Sequence, residues 1–270
     1  MENIWKQIPN SNWLMNLDEY RIKEKPGKHP HFGPWYSDDG EDGVIEYLFN
    51  YINDTYKFAI DIGAAHGYGG SQIRHIADKY NWKTTELDGS KRWNIIHPAV
   101  KEEWITKDNI DALLLKYKTP MRIDLLSLDV DSMDYWILEK VLIAGYRPSA
   151  AVIEYNPIFE YNEAYVRIHD YSYTKDSTSR YGASLKAYEL LMNRYNYTLI
   201  HVFGKTESME ANNCIFLDNA FILPNTRIKN IQEFHPFSWI ESHKKKNPKL
   251  PLNDLKKLLI DKNIFEKIIL

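Results

Sequence analysis

Short apolar runs alternate with stretches of helical period along most of this chain. Phe58–Ile60, Lys83–Leu87, Ile123–Leu128, Ala150–Ile153, Thr198–Phe203 and Cys214–Leu217 have the length and β-branched content of strands, and a short strand is expected within Val100–Ile105. Between them lie segments whose apolar residues share one helical face. These are Val44–Ile52 (Val44, Ile45, Leu48, Ile52), Ser71–Tyr80, Asn109–Tyr117 (Ile110, Leu113, Leu114, Tyr117), Tyr135–Ala144 closed by Gly145, and Leu185–Tyr195. Strand–helix alternation predicts an α/β fold. We expect a mostly parallel, seven-stranded, Rossmann-like sheet with helices on both faces, and Cys214–Leu217 pairing back on the strand before it. The Pro- and Gly-rich residues 1–43 (Pro9, Pro26, Pro30, Pro34) predict an irregular extension. Residues 44–225 form the expected domain. In the tail, 226–270, Leu255, Leu258, Leu259 and Ile260 predict a helix, and Lys244–Lys246 a solvated charge run.

Composition narrows the classes. The 270 residues carry a net charge of −3, so charge implies no nucleic-acid partner. The single cysteine, Cys214, excludes an internal disulfide and a Cys-based zinc site. No apolar run has the length of a membrane span, and Met-Glu-Asn-Ile-Trp-Lys is not a signal peptide. A cytoplasmic protein without membrane insertion is the expectation. Nineteen tyrosines and eight tryptophans suit a core and also a pocket that stacks rings or sugars. Neither a Gly-x-Ser-x-Gly elbow nor a P-loop occurs.

Chemistry concentrates where strands end. In an open α/β sheet, ligands bind outside the carboxyl ends of the strands. Asp61, Asp88 (with Glu86 two before it), Asp129 and Glu154 all close strands. So many acids on one edge cost stability unless a cationic ligand, ribose hydroxyls or a divalent metal uses them. Asp61-Ile-Gly-Ala-Ala-His-Gly67 reads as a strand end and a small-residue turn, with Gly63, Ala65 and Gly67 lying against a ligand. Asp88, roughly 25–30 residues after Asp61, stands where an acid accepts from ribose; Glu86 is the alternative, and a plain Asp88-Gly89 turn the bland reading. Asp129 and Asp131 are candidates for general base or hard-metal ligand, with Glu154 and Asn156 in reach, while Asp134 suits a helix start. His66 sits in the turn without an expected catalytic role. His169, in the Tyr-rich stretch 161–181, is expected to be exposed; that stretch is long enough to be a lid.

Several motifs occur in one order: Gly40-Glu-Asp-Gly43, Asp61 to Gly67, Leu126-Ser-Leu-Asp129-Val-Asp131-Ser-Met-Asp134-Tyr-Trp136, Val152-Ile-Glu154-Tyr-Asn156-Pro157, Gly182-Ala-Ser184 and Asn213. Over residues 36–220 the chain resembles class I S-adenosylmethionine-dependent methyltransferases. Within that class it is similar to the FkbM-type sugar O-methyltransferases often associated with surface-polysaccharide (capsule or lipopolysaccharide) biosynthesis. Ala65 stands where that family has a glycine. The resemblance implies S-adenosylmethionine at Asp61, Gly63, Ala65, His66, Gly67, Asp88 and Asp129. It implies substrate-side or metal-side acids at Asp129, Asp131 and Glu154, with Mg or Mn at Asp129 and Glu154. Tyr155, Asn156, Tyr181 and Ser184 would shape a pocket for a sugar or small polar acceptor. Two other readings stand beside it: a non-catalytic S-adenosylmethionine-binding module, and a metal-dependent α/β enzyme using the Asp129/Asp131 pair. The two ends of the chain could mediate homo-oligomer contacts or cover the substrate.

Overall fold

The computed structural model describes residues 10–21, 37, 40–52, 56–89, 97–169, 181–203, 212–230, 252–262 and 264–268. Pro9, Pro26, Pro30, Pro34, Lys244–Lys246 and residues 170–180 of the Tyr-rich stretch lie outside them. Seven strands form the main sheet: β1 (Phe58–Ile62), β2 (Lys83–Asp88), β3 (Val100–Glu102), β4 (Arg122–Leu128), β5 (Arg147–Tyr155), β7 (Tyr197–Val202) and β8 (Asn212–Asp218). Their spatial order is β3-β2-β1-β4-β5-β8-β7. The β3-β2-β1-β4-β5 ladders are parallel, and β8 runs antiparallel to both of its neighbours. The expected Rossmann-like α/β sheet, with its last strand returning on the previous one, is therefore present. Order reverses at β1, where β2 and β4 lie on opposite sides, and such a switch point opens a crevice at the carboxyl edge.

The helices are α1 (Glu41–Tyr51), α2 (Arg74–Tyr80), α3 (Ile110–Lys116), α4 (Asp134–Ile143), α5 (Leu185–Asn193) and α6 (Leu252–Asp261). Strand residues alternate between two apolar layers. Ala59, Leu125, Ala150, Val152, Ile215 and Leu217 pack with Val44, Ile45 and Leu48 of α1 and with Ile76 and Ala77 of α2. Ile60, Leu126, Leu128, Ile153 and Phe216 face Ile137, Leu138 and Val141 of α4 and Tyr188 and Leu191 of α5. Both faces of β4 and β5 are thus covered, which is why these strands read as unbroken apolar runs.

Three features depart from the pattern. Helix α2 begins at Arg74 rather than Ser71, because Gly67 and Gly70, at φ +87° and +85°, prolong the turn. A second sheet pairs β6 (Tyr165–Arg167) with β9 (Phe265–Lys267), so the tail adds a strand to its helix. Near the other end, Trp13, Leu14 and Leu17 are buried against the α1 layer, and Arg227 N donates to Ser11 O at 2.6 Å.

Candidate functional site

Main chain shapes the bend after β1. Gly63 has φ +93°, and a Cβ there would stand 1.7 Å from Asp129 O. Gly63 N and Ala64 N both donate to Leu87 O (2.9 and 3.1 Å), and Asp129 N donates to Ile62 O at 2.9 Å, so the ends of β2, β1 and β4 are tied together. Ala65 is left-handed at φ +48°, a conformation in which glycine is the less strained choice. Its N–H donates to Asp88 Oδ2 at 2.8 Å, bringing this carboxylate to the bend. At Gly67 a Cβ would meet His97 Cβ at 2.4 Å and Val100 Cγ2 at 2.7 Å. His66 is half-buried, its Nδ1 accepts from Tyr68 N, and burial pushes its imidazole below its usual range.

Asp61 lies beneath this bend, 1 % exposed, and accepts from Ser71 Oγ at 2.7 Å. Burial, aided by the neighbouring Glu86 charge, pushes its carboxyl up to about 7 despite the Ser71 bond. In register Glu86, Asp61 and Ser127 stand side by side on β2, β1 and β4. Glu86 pairs with the buried Arg74 guanidinium, so of the two acids at the end of β2 it is Asp88 that reaches the turn.

One strand further along, Asp129, Asp131 and Glu154 converge. Each offers a carboxylate oxygen, and these oxygens lie within 4.8 Å of one another. Asp131 is left-handed at φ +64°. The loop holding it is set by Asp134, whose Oδ1 accepts from Val130 N (2.7 Å) and Oδ2 from Ser132 N (3.0 Å). Asp134, at the start of α4 as expected, thus also ties down the loop before it. Burial pushes its carboxyl up to about 6.

Segment 181–184 is strapped against this loop. Gly182 N donates to Ser132 O at 2.9 Å. Asn156 Nδ2 donates to Tyr181 O (2.9 Å), while Asn156 Oδ1 accepts from Ile158 N (3.0 Å). Ser184 Oγ accepts from Tyr165 N (2.9 Å) and caps α5 through Ala187 N (3.2 Å). Tyr181 is buried; that burial, and then the charges of Glu154, Asp129 and Asp131, hold its phenol well above its usual range. Tyr155 packs in the apolar layer with Ile153 and Tyr188, on the other side of β5 from Glu154. His169 is half-buried with its ring edge-on to Trp136, contrary to the expected exposure.

Sequence reasoning missed two links. Asn213 stands directly opposite Glu154 in the β5–β8 ladder, and its Nδ2 donates to the buried Glu41 at 2.9 Å. Glu41 and Asn213 were both inside the ordered motifs, but no local pattern joins residues so far apart. The other is Arg74, which helical periodicity placed on α2 without indicating its burial.

No family model and no curated protein matches this chain. Among solved structures it is similar to M. capricolum TrmK in complex with S-adenosylhomocysteine. That match has 15 % identity and a TM-score of 0.41, and covers 82 % of this chain and 92 % of that one. LepI in complex with S-adenosylmethionine matches at 13 % identity and a TM-score of 0.33, over 64 % of this chain and 46 % of its own. The pyocyanin biosynthetic protein PhzM matches at 12 % and 0.32, over 64 % and 54 %. This chain thus spans about half the length of the latter two. The fold rests on strand order and direction, not on these likenesses.

Proposed function

We propose that this chain is an S-adenosylmethionine-dependent methyltransferase whose acceptor is a hydroxyl of a sugar or small polar metabolite. One observation supports this above others. A bend with no room for a Cβ at Gly63 or Gly67, and with Asp88 held at it, lies one strand from three convergent carboxylates. The cradle fits the cofactor: small residues and main chain form the bend, and the Ala65 N–H holds the Asp88 carboxylate at the strand end where an acid meets ribose hydroxyls. When bound, the cofactor supplies a methyl group on a sulfonium for in-line displacement.

The chain's own residues then have distinct tasks. Gly63, Ala65, His66 and Gly67 line the bend, Asp61 holds Ser71 beneath it, and Asp88 orients the ribose. Asp129 takes the proton of the acceptor hydroxyl; Asp129 and Glu154 would also be the residues to hold a divalent cation such as Mg or Mn, which would supply Lewis acidity toward that hydroxyl. Asp131 assists. Oxygens bound to Mg at about 2.1 Å stand about 3 Å apart when adjacent and about 4.2 Å apart when opposite, so three that lie within 4.8 Å of one another need only a small inward movement to share one ion. Tyr181 lines the acceptor side, Asn156 and Ser184 hold the segment that bears it, and Tyr155 backs β5 from the opposite face. Positioning and proton removal are what the protein contributes to such a transfer. Surface-glycan assembly in the cytoplasm is the setting the family resemblance suggests. Among the described residues no helix is long and apolar enough to cross a membrane.

Titration calorimetry with S-adenosylhomocysteine tests the reading first, followed by methyl transfer from labelled S-adenosylmethionine to a panel of sugars. We expect binding in the micromolar range and transfer to at least one hydroxyl acceptor. A chain that binds divalent metal tightly but not S-adenosylhomocysteine would be a different α/β enzyme.

A further inference from the structure

We propose that Arg74 is a positioning residue for the cofactor bend, coupling the conformation of residues 66–70 to the rigid end of β2. This rests on the cofactor reading above. Arg74 is the first residue of α2, yet its side chain turns back over the loop. Its Nε donates to Gly67 O at 3.0 Å, its Nη2 pairs with Glu86, and its Nη1 reaches Asp78 at 3.3 Å. Arg74 is 3 % exposed and Glu86 0 %. Glu86 cannot drift, since its backbone is in register with Asp61 on one side and Val100 on the other, and Thr84 Oγ1 donates to it at 2.5 Å.

The bend needs such a hold. With left-handed residues at 65, 67 and 70 and no helix before 74, it contains little repetitive hydrogen bonding of its own. It is gripped from one side by His97 N, which donates to His66 O at 3.1 Å, and from the other by the Arg74 fork. An apolar pair of similar volume commonly serves stability as well as a buried ion pair does. What an apolar pair lacks is direction: a planar guanidinium donates at fixed angles to a carboxylate and to a carbonyl at once. Lysine retains the charge opposite Glu86 and loses this fork.

The test is Arg74→Lys in the full chain. We expect S-adenosylhomocysteine to bind about 5–30-fold more weakly by calorimetry, with the melting temperature of the ligand-free protein lowered by less than about 4 °C. Hydrogen exchange at Tyr68–Gly70 of the ligand-free variant should quicken about tenfold, while exchange in α2 stays unchanged. Glu86→Gln, which retains shape and an acceptor, should lose affinity about threefold and serves if the lysine variant fails to fold. Asp78→Asn, at the exposed end of the fork, should bind as the native chain does. If the native chain binds S-adenosylhomocysteine and R74K binds it equally well, the positioning role is overturned and the proposed function stands. No binding by the native chain overturns both. Unchanged exchange at Tyr68–Gly70 overturns the positioning role whatever the ligand.

Discussion

Around residues 63–67 the carboxyl edge of the sheet is shaped by main chain, whereas around Asp129, Asp131 and Glu154 it is shaped by side chains. At the first region the decisive contacts are a glycine against the Asp129 carbonyl, two amides on Leu87 O, and one amide on Asp88. At the second, carboxylates converge; Asp134 holds the loop after β4 through its side chain, and Asn156 and Ser184 hold the neighbouring 181–184 segment through theirs. The two regions meet in one residue. The carbonyl of Asp129 belongs to the bend, and its carboxylate belongs to the acid cluster. A surface made of backbone holds a ligand by shape and tolerates little volume. A surface made of carboxylates can exchange chemistry without changing shape. Binding and turnover should therefore separate by position.

The strongest way to break this division is Gly63→Ala. The new Cβ would fall 1.7 Å from a backbone oxygen, at a φ of +93°, so neither rotamer change nor side-chain movement relieves it. We expect a loss of about 3–5 kcal/mol in stability, and a melting temperature roughly 10 °C lower. Binding of S-adenosylhomocysteine should become undetectable by calorimetry. Native-like binding would mean that the bend is not where the ligand lies.

Asp129→Asn sharpens the comparison within a single residue. Asparagine retains the carbonyl that Gly63 packs against and removes only the charge. Turnover on the identified acceptor should fall about 10²–10⁴-fold. Affinity for S-adenosylhomocysteine should change by less than about threefold, since the bend itself is untouched. Any activation by Mg or Mn should vanish. Intact turnover with an intact metal response would remove Asp129 from the chemistry. An equal collapse of affinity would show that the two regions are not separable.

How far the sequence already carried this picture differs between the two regions. Five of the seven main strands stand out as apolar runs because both faces of the sheet are covered, whereas Lys83–Leu87 has a single apolar residue; that the acids ending parallel strands share one edge follows from the direction of the sheet. Ala65 was legible as a small residue, but its left-handed φ was not, because only the surrounding ladder makes it necessary. The roles of Asn156 and Ser184 were illegible for a related reason. Their partners are main-chain groups of segments brought near by folding, and a polar residue in a motif carries no mark of what it bonds. That Asp88 meets the bend while Glu86 turns to Arg74 was equally hidden, because no periodicity reveals the burial of Arg74. The pairing of β6 with β9 joins two three-residue strands about a hundred residues apart, too short for any local signal.

The mildest expected effect concerns Asp61, a carboxylate in the backbone-built region. Its folded-state value of about 7 lies above the ordinary 3.8, burial being the main cause. Between these values the folded protein holds a proton that the unfolded chain has released, so stability falls as pH rises. The contribution is fully present below about pH 4 and is lost as pH climbs through about 7. Asp134 and Asp42, each pushed up to about 6 chiefly by burial, act with the same sign. The native protein should accordingly melt lower at pH 8 than at pH 5. Asp61→Asn stays uncharged and can still accept from Ser71, so it removes one share of the slope and leaves that of Asp134 and Asp42. We expect the pH 5-to-8 drop in melting temperature to shrink by about 2–5 °C in this variant. If native and variant proteins lose the same number of degrees, Asp61 is already ionised at pH 5. The bend would then tolerate a buried charge that its backbone leaves little means to solvate, and Arg74, beyond Glu86, would be the cation to examine as the group compensating it.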